Sequence, residues 1–268
     1  LLMFSLAGLA GFLAGLLGIG GGLVLVPGLY YVFSFLGYES PYIMHVCVGT
    51  SLATIIATGI SSARAHHKRD CVRFDLVKNI GIGVVIGVGI GTVIASYVSG
   101  ITLILFFAIT LFILAGLMQI KPEKMKFMKD IPKQPWPAIA GTVTGTVSTL
   151  MGIGGAALNV PYMTLHNVSI HRAVGTASAM GLLVAIPGAI GFLIIGLLEK
   201  PTDLPPFSLG YINFLALAII IPVSSSFAPV GAGLAHKFST KLLRKVFSIF
   251  IIIVASKMLF EAWRVSNG

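Results

Sequence analysis

The sequence predicts an all-α integral membrane protein built from two inverted-topology repeats, each a re-entrant or broken helical hairpin followed by three transmembrane helices. Three observations predict it. Of 268 residues, 56% are hydrophobic and only 10% are charged, against about 25% charged in a soluble domain; mean hydropathy is +1.00. A glycine string, Gly18-Ile19-Gly20-Gly21-Gly22, returns 134 positions later as Gly152-Ile153-Gly154-Gly155-Ala156. The basic residues gather in three short loops rather than over the whole surface.

The elements follow in chain order. Uncharged runs at 1–38, 79–120, 137–171, 173–198 and 207–236 reach the roughly 20 residues that a crossing helix needs. The chain opens in apolar sequence at Leu1-Leu2 without a cleavable leader pattern, and a few preceding residues are expected. Segments 1–17 and 23–37 flank the first glycine string. Each is about 15 residues, or roughly 22 Å of helix, short of the ~30 Å hydrocarbon core. They form either one broken crossing or a hairpin that enters and returns. Single crossings at 43–63, 79–98 and 101–119 come next, and in the second half a hairpin over 137–168 precedes 173–198, 207–230 and a terminal helix.

The repeat extends beyond the glycines. Gly11 matches Gly145, and Val26-Pro27 matches Val160-Pro161. His45-Val46-Cys47-Val48-Gly49-Thr50 matches His171-Arg172-Ala173-Val174-Gly175-Thr176, and Gly91, Ala95, Ser99, Leu103, Phe107 and Met118 match Gly231, Ala235, Ser239, Leu243, Phe247 and Met258. Four ordered blocks at drifting offsets are the mark of duplication. The repeats are 1–120 and 137–268, joined by a basic linker at 121–136.

The basic loops carry Arg64, Lys68, Arg69, Arg73 and Lys78; Lys121, Lys124, Lys126, Lys129 and Lys133; and Lys237, Lys241, Arg244 and Lys245. Short Lys- and Arg-rich loops stay on the cytoplasmic side. All three can lie inside only if 137–168 makes no net crossing, so that three crossings per half invert the second repeat. The alternative, eight crossings in parallel halves, leaves 236–245 outside. A net charge of +10 is therefore a topology signal rather than a nucleic-acid footprint. Cys47 and Cys71 lie in different environments, and no disulfide is expected.

Glycine clusters at membrane depth break helices, which hydrocarbon tolerates only beside a cavity. Paired breaks in two halves mark a transporter's binding site. Gly20, Gly21 and Gly22, with Gly154 and Gly155, expose peptide N–H groups at helix starts, where an anion is favoured. Small residues also serve plain helix packing. Thr50 and Ser51, with Thr176 and Ser178, offer hydroxyls to the anion, or bond back to their own helices. Asn159 stands where the first half has Leu25, and an amide at that depth requires a partner. His45 and His171, expected at segment starts near the membrane surface, are candidates for proton coupling or gating. Arg172 is a candidate for steering anions at the cytoplasmic mouth. His66-His67 reads as solvated loop, Ser224-Ser225-Ser226 between Pro222 and Pro229 as a kinked polar stretch, and Lys257 with Glu261 as an interfacial i, i+4 pair.

The strings at 11–27 and 141–161, with the H-x-x-V-G-T blocks at 45–50 and 171–176, resemble the TauE/SafE family of sulfite exporters and sulfonate permeases over essentially the whole chain. The resemblance implies a multi-pass protein of a bacterial or archaeal plasma membrane that moves sulfite or organosulfonates. The expected partners are a small anionic substrate and the lipid bilayer, with no cofactor, metal or nucleic acid. A channel-like anion pore, or a carrier of another carboxylate or oxyanion, stays open. Catalysis is not expected. Ser148 or the Ser224 cluster with His166 or His236 lacks a G-x-S-x-G frame, and the glycines lack a phosphate-loop order.

Overall fold

A computed structural model describes residues 2–17, 21–119, 131–235 and 240–267. Ten helices account for nearly all of them: α1 (Leu2–Leu17), α2 (Gly22–Phe35), α3 (Ile43–His67), α4 (Phe74–Tyr97), α5 (Gly100–Gln119), α6 (Trp136–Met151), α7 (Ala156–Leu165), α8 (Ile170–Glu199), α9 (Phe214–Ala235) and α10 (Thr240–Asn267). Before α9, a two-stranded antiparallel ribbon pairs β1 (Ser208–Leu209) with β2 (Ile212–Asn213). Six of the helices, α3, α4, α5, α8, α9 and α10, are long and apolar enough to cross a membrane. Their outward faces carry exposed Ile82, Ile86 and Ile90, Ile109 and Ile113, and Ile249 and Ile253. Water would penalise so much apolar surface, whereas lipid accepts it.

The two short helical pairs fold back on themselves. α2 returns along α1, so that Gly28 lies against the Leu6 side chain. α7 returns along α6, so that the Thr144 hydroxyl donates to Asn159 Oδ1 at 2.9 Å. Both are hairpins rather than broken rods.

Small residues let the long helices approach closely. Carbonyls of Ala138 and Thr142 on α6 sit where side chains of Gly83 and Gly87 on α4 would stand. Carbonyls of Ile80 and Val84 do the same at Gly141 and Gly145, and Thr146 Oγ1 donates to the Gly87 carbonyl at 3.0 Å. α1 meets α9 in the corresponding way, with Gly11 against the Ser224 carbonyl. α3 crosses α8, and α5 packs on α10, where Ser248 Oγ donates to the Ala115 carbonyl. Each of these seams joins one half of the sequence to the other.

Three expectations need correction. Residues 207–213 form the ribbon rather than the start of a helix. Pro205 and Pro206 precede them, and Phe207 and Gly210 take positive φ of 64° and 53°; no helix continues through such angles. His66 and His67 belong to the last turn of α3, not to a loop. Glu261 pairs with Arg264 at 3.0 Å, one turn on, where a pair with Lys257 was expected. Cys47 is buried, Cys71 is partly buried, and both are free thiols.

Candidate functional site

The two hairpin tips meet. Gly22, the first residue of α2, lies so close to the second tip that a Cβ added there would stand 2.6 Å from the Gly152 carbonyl oxygen. The second tip is built by two left-handed residues, Gly152 at φ +65° and Gly155 at φ +74°. They end α6, turn the chain and start α7, a conformation that glycine adopts without strain. Ser51 Oγ, on α3, donates to the Gly152 carbonyl at 2.7 Å and fixes the tip to its neighbour.

A cavity of about 410 Å³ starts at these tips. Gly21, Gly154, Ala156 and Gly181 line its deep end. Thr54, Thr58, Ser62 and His66 carry it along α3, with Ser178 opposite on α8 and Ser224 and Ser225 on α9. From Thr54 to His66 is about 18 Å at 1.5 Å per residue. It reaches the exposed Ser61 and Ala65 at the C-terminal end of α3, the end that carries the basic residues Arg64, Lys68 and Arg69. Among the described residues no aspartate or glutamate lines it, and His66 is the titratable group on its wall. A small anion therefore meets no like charge on the way in. Ser62 Oγ donates to Ser178 Oγ at 3.2 Å, and Ser178 in turn donates to the Val174 carbonyl at 2.9 Å.

The opposite end of α3 is closed. His45 Nε2 donates to the Ala95 carbonyl at 3.0 Å. Its ring lies 5.1 Å from that of Tyr211, which stacks on Tyr42 at 5.6 Å. Tyr211 is fully buried, and its hydroxyl donates to Glu199 Oε2. Burial and then this carboxylate hold the Tyr211 phenol above its ordinary pKa. The Asn213 amide donates to Thr50 Oγ1 at 2.9 Å, and the Tyr211 carbonyl fits against Gly49. The same clasp recurs at the other end, where the Arg73 amide donates to Thr176 Oγ1 at 3.0 Å and the Cys71 carbonyl lies 2.6 Å from a Cβ added at Gly175.

The expected site residues are thus dispersed. Gly21, Gly154 and Ser178 line the cavity. Gly22 meets the second tip, and Ser51 ties that tip to α3. Thr50 and Thr176 hold the chain entering α9 and α4, and their hydroxyls are neither turned to the cavity nor bonded to their own helices. Gly155 and Asn159 lie within the second hairpin, away from the cavity wall. His45 stands in the first turn of α3, at a segment start as expected, and is buried there under Tyr42 and Tyr211. His171 and Arg172 are exposed in the first turn of α8. Gly20 lies outside the described residues, as do Gly18 and Ile19. His66 escaped sequence reasoning because Arg64 and Lys68 beside it read as loop. The signal that could have found it is the spacing Thr54, Thr58, Ser62, His66, one polar residue every fourth position on a single helix face.

Among the described residues no group of three or more His, Cys, Asp or Glu is placed to hold a metal. Among the described residues neither Ser148 nor Ser224 is paired with His166, and His236 lies outside them. Ser148 Oγ has no partner, and His166 Nδ1 donates to the Tyr162 carbonyl at 2.8 Å.

Residues 3–258 match the family described as "Sulfite exporter TauE/SafE". The chain belongs to the TauE/SafE family. This TauE/SafE protein is 33% identical over 261 residues to a probable membrane transporter protein of Haemophilus influenzae, covering 97% of this chain and 98% of the relative. It is 29% identical over 266 residues to a probable membrane transporter protein of Methanocaldococcus jannaschii, covering 97% and 96%. A third, from Bacillus subtilis, is 26% identical over 277 residues, covering 94% of each chain. No solved structure matches. With six helices long enough to span, this TauE/SafE member is a multi-pass membrane transporter.

Proposed function

We propose that the protein is a secondary transporter that moves a small sulfur-containing anion, sulfite or an organosulfonate, by alternating access. The observation that carries this reading is the cavity, without an acidic residue among the described ones on its wall, that starts at the paired helix breaks and opens at the basic end of α3. The anion sits at the meeting of the tips, against Gly21 and Gly22 on one side and Gly154 on the other. Peptide N–H groups at helix starts replace part of its water shell there, without any buried cation. Ser178 and His66 line its path, and Arg172 adds positive potential near the mouth. The closed end speaks against a continuous pore.

The reading takes the halves 1–120 and 137–268, joined by the basic linker 121–136, as inverted repeats. The reciprocal seams support it, since α4 lies on α6 as α9 lies on α1. The reciprocal Gly-Thr clasps support it too. The basic loops then face the cytoplasm, the cavity opens inward, and the Tyr42–His45–Tyr211 cluster closes the outer side. His45, inside that seal, is where protonation would bear on opening. The membrane is a bacterial or archaeal plasma membrane, in keeping with the relatives' sources.

The test is anion flux in vesicles holding the purified protein, with thermal stabilisation by sulfite, sulfoacetate, taurine, thiosulfate and carboxylate analogues measured alongside. A ligand that binds the native form raises its melting temperature by mass action. Flux of sulfite or a sulfonate with a matching shift is expected. Neither flux nor shift with any of them would refute the reading.

A further inference from the structure

Ser148 Oγ and Asn159 Nδ2 are both fully buried and have no hydrogen-bond partner. A buried donor left unmade costs about 1–3 kcal/mol, so two of them side by side in one hairpin call for a ligand. Both face Gly155. A Cβ added there would stand 2.9 Å from Asn159 Nδ2 and 3.4 Å from Ser148 Oγ. Thr144 donates to Asn159 Oδ1, which turns the amide nitrogen toward the glycine. Gly155 is also the residue before α7, whose first bonds return from Leu158 and Asn159 to the Gly155 carbonyl. The amides ahead of them form the helix's positive end.

The first hairpin shows the equivalent place with other chemistry. At the offset of 134, Thr144, Ser148 and Asn159 correspond to Ala10, Ala14 and Leu25. The geometry corresponds as well. A Cβ added at Gly21 would meet Leu25 Cδ1 at 3.5 Å and the Ala14 Cβ at 3.8 Å. Yet Ala10, Ala14, Gly21 and Leu25 line the inward cavity, whereas Thr144, Ser148, Gly155 and Asn159 line none of it. Exchange of the two halves would reverse this. It would close the apolar pocket of the first hairpin and open the pocket of the second to the other side.

We propose that Thr144, Ser148, Asn159 and the α7 start at Gly155 form an oxyanion-binding pocket that opens only to the outer face. There Ser148 and Asn159 donate to an oxygen of the sulfite or sulfonate, bonds that the inward cavity, lined by Ala10, Ala14 and Leu25, does not offer. The carrier is asymmetric, capturing its anion from outside with more hydrogen bonds than it uses to hold it inside. This rests on the alternating-access reading above.

The test uses Ser148→Cys in a Cys47→Ala, Cys71→Ser background, reconstituted in vesicles and exposed to a membrane-impermeant maleimide on one side at a time. The new thiol reacts from the outer face, at least ten-fold more slowly when sulfoacetate, a sulfonate that does not consume maleimide, is present there. Reaction from the inner face alone, no reaction, or no protection by sulfoacetate would overturn the pocket. A second variant, Asn159→Leu, copies Leu25 and removes a buried unpaired donor, so it folds. It raises the half-saturating sulfite concentration for entry from the outer face at least ten-fold, and leaves that from the inner face within about two-fold. An equal rise on both sides, or none, overturns the proposal. Absence of sulfite flux in the unmutated protein is a separate result that sinks the transport reading. The labelling pattern still reports on the pocket in that case.

Discussion

Thr50→Val tests whether the Gly-Thr clasp holds the outer side shut. Valine matches threonine in shape but removes the oxygen that accepts the Asn213 amide at 2.9 Å. Thr50 is 0% and Asn213 2% exposed, so no water replaces the lost acceptor. An orphaned buried donor costs about 1–3 kcal/mol, felt only while the ribbon is seated. The equilibrium between closed and open outer ends therefore shifts toward open by about 5- to 150-fold. The chain supplies its own reporter. Cys47 is fully buried, and two helical turns before Thr54 it lies on the cavity face of α3. In a Cys71→Ser background it is the sole thiol, since the sequence has two cysteines. Its labelling by an impermeant maleimide from the outer face follows the opening constant while closing outpaces reaction. The rate rises 5- to 150-fold in Thr50→Val. Thr176→Val, which releases Arg73 at the other end, does not raise it. An unchanged rate in Thr50→Val would refute the idea that this bond contributes to closure.

Other outcomes follow from the same contacts. Gly87→Leu drives a side chain into the Thr142 carbonyl on α6; overpacking of this kind costs about 1–3 kcal/mol or more. Size-exclusion after a heating series shows a lower melting temperature, while Gly89→Leu, where nothing stands within 4 Å, shows none. Ser51→Ala leaves the Gly152 carbonyl without its buried donor and lowers thermal stability by about 1–2 kcal/mol, detectable by chemical unfolding in mixed micelles. Thr58→Asp places a carboxylate on the cavity wall. At 4 Å from a bound anion and an effective dielectric constant of 20, repulsion reaches about 4 kcal/mol, so vesicle flux falls at least ten-fold. Tyr211 has its pKa raised from 10.0 in the folded state, so the neutral phenol is the form the fold favours. Its contribution is fully present below pH 10 and is lost as pH rises through the folded value. Melting temperature followed from pH 8 to 11 falls above pH 10 in the native protein, and falls less in Tyr211→Phe.

Much of the architecture was readable in the sequence because its signals are local. A glycine string inside apolar sequence can only be a break, and α1 ends at Leu17 before α2 starts at Gly22, as α6 ends at Met151 before α7 starts at Ala156. Of the long helices, α3, α4, α5, α8 and α9 follow from apolar runs, whereas α10 carries Lys257 and Glu261 within it. What stayed hidden depends on partners far along the chain. Thr50 and Thr176 recur because each holds a loop, but the loop that Thr50 holds lies 163 residues away. α9 runs through Pro222 and Pro229 without ending, since packing against α1 supports the turns that proline would free. Ser178 lines the cavity and Asn159 is buried away from it, and neither follows from the residue itself. Both follow from which faces of the packed helices the open end reaches.

The reciprocal seams bear on how such a chain can be divided. Because α4 rests on α6 and α9 on α1, neither residues 1–120 nor 137–268 can cover their glycine-lined faces alone. A cut anywhere between α5 and α6 therefore leaves the two fragments clamped together, because the joints that matter are not covalent.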